Sequence, residues 1–538
     1  MAQIIVTTLD DEYDSGATVA NPGGQGLSLR EAIARANALA GADEIIFAPG
    51  LSGTITLVNG FSFISSEISI NGDVDGDLDA DITIDANDAQ AHFLVGGSGT
   101  LALNGFRLTN GNYYLGSGSI DNSGDLVVTN TTFDGNDGSQ GGALFNRTGA
   151  TANLTNVTFS DNSANVGGAI YNFGDLTVVN GTFAGNYAQN YGGAINNGPS
   201  GDVSLVNATL TDNEAQIDGG GIKDFAFDAV TLRNSIVLGN RSTGVVEISG
   251  DASLQAANIV GSQLSQDGVV LNVFDPSDVF RSAAGDVGEL ADNGGSVQTV
   301  RINAIGPAAD AGSGNPPLDE LDADRDGSTT DLLAGANGPA RAANAFDLGA
   351  YEAVAATRIE VTNVNDSGAG SLRQAIADAG TASNVFITFA DDLAGQTIAL
   401  QSTLTIQSGA EITITGDVDG DGDKDVVISG DRTGNGPSLS DVRIMNVEAG
   451  AYVRLDDITL ADGFDRGSNS FSNTSTGAFA VAGDGASTIL SSGDVTLSNV
   501  LIANAYSSGG DGRDYPINGT RDGGDAAAII VEGGAFRA

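Results

Sequence analysis

The sequence predicts an all-β fold of two tandem right-handed parallel β-helices, solenoids that each open with a short N-terminal capping helix. Three observations carry that expectation. A Phe-x-x-Asn unit recurs at Phe133/Asn136, Phe159/Asn162 and Phe183/Asn186, then in degenerate form at Leu210/Asn213 and Val237/Asn240, so the asparagines step by 26, 24, 27 and 27 residues. A glycine pair keeps the same beat at Gly141-Gly142, Gly167-Gly168, Gly192-Gly193 and Gly220-Gly221. A Ser-Leu-Arg stretch at Ser28 returns at Ser371, an offset of 343, and the aspartate run from Asp73 returns at Asp417, an offset of 344.

A unit this short cannot bury its own apolar face and must stack on copies of itself. Stretches such as 154–159 and 176–183 are rich in β-branched residues, alternate apolar with polar and are too short for helices, so each unit reads as a rung of short strands and turns. Asparagine is expected at the corners, where it tolerates left-handed backbone and its amide reaches the asparagine of the next rung. Paired glycines suit tight turns where a side chain would strike the rung above. Parallel crossovers are almost always right-handed, which sets the expected hand.

Residues 4–9 read as a strand, after which Leu29, Ala32, Ile33 and Ala36 fall on one helical face. Ser28 and Glu31 have the spacing of a capping box. Such a helix covers the apolar end of a first rung, which would otherwise be an open sheet edge. The second copy carries Ser371, Gln374 and a strand at 385–389. Because a cap blocks stacking, a second cap begins a second solenoid, giving one β-helix over 1–355 and another over 356–538. The first loses regularity over 241–305 and ends in a polar, irregular stretch. In the second, 453–460 and 495–504 read as rungs beside a Gly/Ser-rich loop at 462–476, and the chain stops in what reads as the middle of a rung, as in a fragment of a longer protein.

Charge bounds the function. With 69 Asp and Glu against 21 Lys and Arg, the formal net charge is −48, and Lys223 and Lys424 are the only lysines. Nucleic acid and insertion into a membrane are not expected, since neither basic steering nor an apolar run of spanning length is present. So dense an acidic surface calls for divalent cations or high external salt, which points outside the cell. Zero cysteines leave no disulfide framework or thiolate metal site. The N-terminus lacks a basic region followed by an apolar one, so export is expected by another route or a C-terminal signal.

Three acidic runs are candidate cation sites: Asp73, Asp75, Asp77, Asp79 and Asp81; Asp417, Asp419, Asp421, Asp423 and Asp425; and Asp322, Asp324 and Asp326. Carboxylates at every second position either repel along one strand face or wrap a loop around a hard cation that takes six to eight oxygens. Calcium is the expected ion. The twelfth positions are Ile84, Ile428 and Leu333, where a helix–loop–helix calcium hand has Glu, so any site borrows ligands from neighbouring backbone. Solvated acidic turns are the plainer alternative.

Catalytic alternatives are thinner. Arg107, Arg233, Lys223 and Asp224 fall on or near rungs and are the groups that could act in a polysaccharide lyase or glycoside hydrolase, yet their local sequence resembles ordinary surface. His92 is the only histidine and reads as a partly buried structural residue. Asn130, Asn156, Asn180 and Asn207 match the N-glycosylation pattern but repeat as rung corners.

Three resemblances add to this reading. The Phe-x-x-Asn and Gly-Gly-Ala-aliphatic tetrapeptides over residues 104–240 resemble the repeats of bacterial polymorphic outer-membrane proteins, which implies a surface β-helix of a kind implicated in adhesion; the membrane barrel of that family is not visible. Ser28-Leu29-Arg30-Glu31-Ala32, followed by Ile45-Ile46-Phe47, resembles the CSLREA module of bacterial surface β-helix proteins, with Leu27 where that family has Cys. The stretch from Asp347 to Glu352 resembles the choice-of-anchor ending D-x-G-A-Y-E. The expected function is a secreted or surface-displayed bacterial structural or adhesive protein, stiffened by calcium, with itself (as a filament or surface layer) or surface glycans as partner. The alternative is a carbohydrate-active β-helix enzyme, against which the absence of Trp and the low aromatic content lean.

Overall fold

Short strands whose side chains alternate in and out can bury one face only by stacking in register, and the described rungs do this. The computed structural model describes residues 2–13, 24, 26–58, 62–88, 90–226, 229–261, 263–266, 268–273, 279–281, 283–284, 287–293, 296–303, 307–309, 311, 348–351, 357–382, 385–418, 423–432, 442–466, 489–503, 506–508, 514–516, 529–531 and 536–537. It is a parallel β-solenoid in two compact units, Met1–Ala353 and Val354–Ala538.

In the first unit, the described strands form sheets of eighteen, eight and six strands, parallel except at the end of the largest. Register in the largest sheet lines up one aliphatic column through Ile4, Ile45, Ile70, Leu103, Val128, Leu154, Val178, Leu205 and Leu232, each at most 1 % exposed. Beside it Phe133, Phe159 and Phe183 stack at 4.7 Å between centroids, which is the spacing of adjacent strands. Helix α1 (Leu29–Ala38) opens on Ser28 with a complete capping box, and Leu29, Ala32, Ile33 and Ala36 join the same core as Ile4 and Val6.

The repeated asparagines form hydrogen-bonded ladders. Asn136, Asn162, Asn186 and Asn213 each donate from Nδ2 to Oδ1 of the next, and Asn213 donates to Asn240. A second ladder runs Asn122, Asn146, Asn172, Asn197 and ends on Asp224 Oδ1. The first ends similarly, Asn240 Nδ2 donating to Glu247 Oε2. The Phe-x-x-Asn asparagines were expected in left-handed backbone, but positive φ falls one residue earlier, at Gly135, Asp161, Gly185, Asp212 and Gly239. The corner is made there by Gly or Asp, leaving the asparagine free to point its amide along the column. Left-handed asparagines do occur at Asn130, Asn156, Asn180 and Asn207, where they make a third ladder.

The glycine pairs follow from contact with the next rung. A Cβ at Gly142, Gly168 or Gly193 would lie 2.0–2.2 Å from the carbonyl oxygen of Gly168, Gly193 or Gly220, respectively. The fourth pair is therefore Gly219-Gly220, one residue earlier than the sequence alignment placed it, and Gly221 takes the alanine position, receiving the Ala194 amide on its carbonyl.

The rungs end in antiparallel strands, Ala257–Val260, Gln263–Gln266 and Val269–Val273. A return segment then lies along the outside of the large sheet. Phe280, Val300, Ile302, Leu348 and Tyr351 pack on Ile236, Leu238 and Ile259, and the Ala350 and Gly288 amides donate to the outward hydroxyls of Thr209 and Thr211. Of the anchor-like ending, Leu348 to Tyr351 are thus seated on the solenoid, while Asp347 and Glu352 fall outside the described residues.

The second unit repeats the plan, with a column through Ile359, Ile387, Ile414, Leu455 and Leu497. Helix α2 (Leu372–Ala379) starts at Ser371, whose side chain accepts the Gln374 amide, and buries Leu372, Ala375, Ile376 and Ala379.

Candidate functional site

The acidic turn between strands Glu67–Asn71 and Ile82–Asp85 brings three predicted ligands together. One oxygen each from Asp73, Asp75 and Asp81 lies within 4.8 Å of the others. The turn is wound by its own carboxylates: Asp73 accepts the Gly76 and Leu78 amides at 2.8 and 3.2 Å, and Asp81 accepts those of Val74 and Asp75 at 2.7 and 3.3 Å. Asp77 and Asp79 point to solvent outside this group. Asp75 gains charge stabilisation from the Asp77 amide, yet the Asp77 and Asp81 carboxylates and burial leave it above the ordinary aspartate range. Asp79 is raised by burial and by the Asp77 and Asp292 carboxylates. An all-oxygen group with crowded negative charge suits a hard dication such as Ca²⁺, and Asp73, Asp75 and Asp81 are the residues that would hold it.

The loop closes at its ninth position rather than its twelfth. Ile84 and Ile428 sit on strands and point into the core, so no side chain arrives from there; Asp81 folds back instead. In the second unit Asp425 does the same, its Oδ2 accepting the Val418 amide at 2.9 Å. Both members of that bond lie 344 residues beyond Asp81 and Val74 (425 − 81 and 418 − 74). Asp417 and Asp423 flank this turn, Asp419 and Asp421 lie outside the described residues, and so do Asp322, Asp324 and Asp326.

The groups weighed for catalysis are engaged elsewhere. Arg107 pairs with Asp134, and Arg233 donates to Gln255 at 2.8 Å. Lys223 donates to Asp218 at 3.0 Å and Ser249 at 2.8 Å. Burial opposes ionisation of Asp218, but the Ser249 hydroxyl, the Lys223 ammonium and the Val245 amide hold it down to about 2. Asp224, adjacent in sequence, points the opposite way and ends the asparagine ladder; its Oδ2 is buried and makes no hydrogen bond. His92 is buried, its Nε2 lying 2.9 Å from the Ile84 carbonyl and 3.1 Å from that of Thr109, and burial lowers its pKa to about 4.

With this geometry in hand, residues 156–172 match the Chlamydia polymorphic membrane protein repeat. They cover part of one rung, from the left-handed Asn156 through Phe159 and Asn162 to the ladder residue Asn172. No curated protein matches the chain. Among solved structures, the PL6 family alginate lyase AlyGC is similar at 10 % identity with a TM-score of 0.20, over 95 % of this chain and 78 % of that one. A mutant of it gives 11 % identity and a TM-score of 0.21, over 94 % and 79 %. Scores this low carry neither fold nor function across. No helix among the described residues is long and apolar enough to cross a membrane.

Sequence reasoning singled out Lys223 but missed the column it belongs to. Phe145, Tyr171, Asn196 and Lys223 each follow the aliphatic residue of a glycine motif, and strand alternation turns them outward together. The signal was present as a column one position past each motif.

Proposed function

We propose that the chain is a secreted or surface-displayed structural and adhesive β-helix of a bacterium, stabilised by calcium at its acidic turns. Its helices serve as caps on right-handed solenoids, and its partners are further copies of itself or surface glycans. The observation that carries this reading is where the repeat places its recurring residues. Phe133, Phe159 and Phe183 and the Asn136-to-Asn240 ladder all point along the column and join rung to rung, so the repeat encodes stiffness and leaves ligand contacts to the residues between. The match of one rung to the polymorphic membrane protein repeat supports display at an outer surface. Calcium is supported by the convergence of Asp73, Asp75 and Asp81.

Thermal unfolding in millimolar Ca²⁺ and in chelator, each at low and high NaCl, tests the calcium reading. Ca²⁺ is expected to raise Tm beyond what NaCl of equal ionic strength achieves, and replacing Asp73, Asp75 and Asp81 by Asn is expected to remove most of that increment. Equal effects of the two salts would make the turns solvated acidic loops.

A further inference from the structure

On the eight-stranded sheet of the first unit, Asp121, Phe145, Tyr171, Asn196, Lys223 and Ser249 are successive register partners. Two residues further on, Arg147, Phe173, Gly198 and Phe225 run alongside. Phe145 and Tyr171 stack at 5.3 Å, and Phe173 meets both edge-on at 6.2 and 4.7 Å. Tyr191 reaches Phe225 edge-on at 5.5 Å. Phe225 is 38 % exposed, and Tyr171, Phe173 and Tyr191 are half-buried. Phe145 itself is 6 % exposed, beneath Arg147 at 4.4 Å, so the strip presents four rings, Tyr171, Phe173, Tyr191 and Phe225, with Lys223 over Phe225 at 4.9 Å.

Charge on this strip is balanced pair by pair. Arg147 forks onto both oxygens of Asp121 at 2.5 and 2.7 Å, and Lys223 binds Asp218 at 3.0 Å. The strip is therefore neutral on a protein of net charge −48. Between its rings sits Asn196, 2 % exposed, with a buried Oδ1 that has no hydrogen-bond partner. An orphaned amide oxygen beside aromatic faces waits for a donor that arrives with an apolar surface.

We propose that this strip binds a neutral glycan. Sugar rings present C–H faces to aromatic side chains and hydroxyls to amide, guanidinium and ammonium groups, so one ligand satisfies both halves of the strip. An anionic polymer is repelled by the rest of the molecule, and a cationic one is drawn to the acidic turns instead. The proposal rests on the adhesive half of the function above and supplies its location and ligand class.

Affinity electrophoresis of the whole chain through gels carrying a neutral galactomannan, a neutral β-glucan or a polyuronate tests it. At least one neutral gel is expected to retard the protein, with apparent affinity about tenfold weaker in Phe225→Ala and in Tyr191→Ala. Tyr13→Ala, a 61 % exposed tyrosine away from the strip, is expected to migrate like the unaltered chain, and unchanged circular dichroism of each variant keeps folding separate from binding. Retardation by the polyuronate alone, no retardation by any glycan, or concentration-dependent dimerisation abolished by the same variants would overturn the assignment. Calcium-dependent melting reports independently, so the structural reading can stand if this one falls.

Discussion

The single histidine makes a clean probe of the core. Burial holds His92 neutral and lowers its pKa to about 4 from 6.5, outweighing the two carbonyls at its Nε2, which favour the charged ring. The unfolded chain therefore takes up this proton first as pH falls. The contribution is fully present above 6.5 and is lost as pH drops toward 4, a swing of roughly 3 kcal/mol. Urea unfolding at pH 7.5 and 4.5 is expected to show a larger acid loss in the unaltered chain than in His92→Gln, whose amide can donate to the same carbonyls. Equal losses would place the titration elsewhere. Sequence placed His92 as structural because it stood alone beside Phe93. Its two carbonyl partners come from Ile84 and Thr109, on separate strands, and no local pattern could supply them. The candidate cation site was legible in the same partial way: the spacing of aspartates marked the turn, but only the folded loop shows that Asp81, not the twelfth position, closes it.

At the scale of an element, the glycine pairs are the most exacting feature. Gly168 has ordinary backbone for any residue, yet an added Cβ would sit 2.1 Å from the Gly193 carbonyl oxygen and 2.7 Å from the Tyr187 amide nitrogen. Neither atom belongs to a flexible side chain, so the rung itself must shift. Gly168→Ala is expected to cost about 3 kcal/mol and to lower Tm by several degrees, whereas Gly149→Ala, where nothing lies within 4 Å, is expected to cost much less despite its positive φ of 79°. Comparable losses at both sites would mean that backbone conformation, not contact with the next rung, selects glycine. This element was readable from sequence in its first three copies because Gly-Gly-Ala repeats verbatim. The fourth slipped by one residue, since three successive glycines give no composition cue to which carbonyl lies above which.

Over the whole molecule, self-repulsion sets the terms. At a net charge of −48 the carboxylates repel one another over a screening length, and raising NaCl from about 0.01 to 1 M shortens that length from roughly 30 to 3 Å. Tm is expected to rise across that range in calorimetry; a flat response would show the charges already compensated. The two-unit plan was legible in sequence because the Ser28 and Asp73 landmarks return with nearly the same offset, 343 and 344. The return segment was not, because Phe280, Val300 and Leu348 carry no repeat and find their partners only after the outward face of Ile236 exists. The asparagine ladders, finally, give individual columns of the first unit an electrical direction, the Asn130-to-Asn207 ladder donating the opposite way to the other two. In the two ladders that end at Asp224 and Glu247, every N–H points toward the same end of the stack. Aligned amide dipoles leave partial positive charge at that end. An amide both donates and accepts and so invites a successor, whereas a carboxylate only accepts. Asp224 and Glu247 set a carboxylate against the accumulated dipole and end each run of amides, while the backbone of Ile222 and Lys223 still carries one further rung at Ile248 and Ser249.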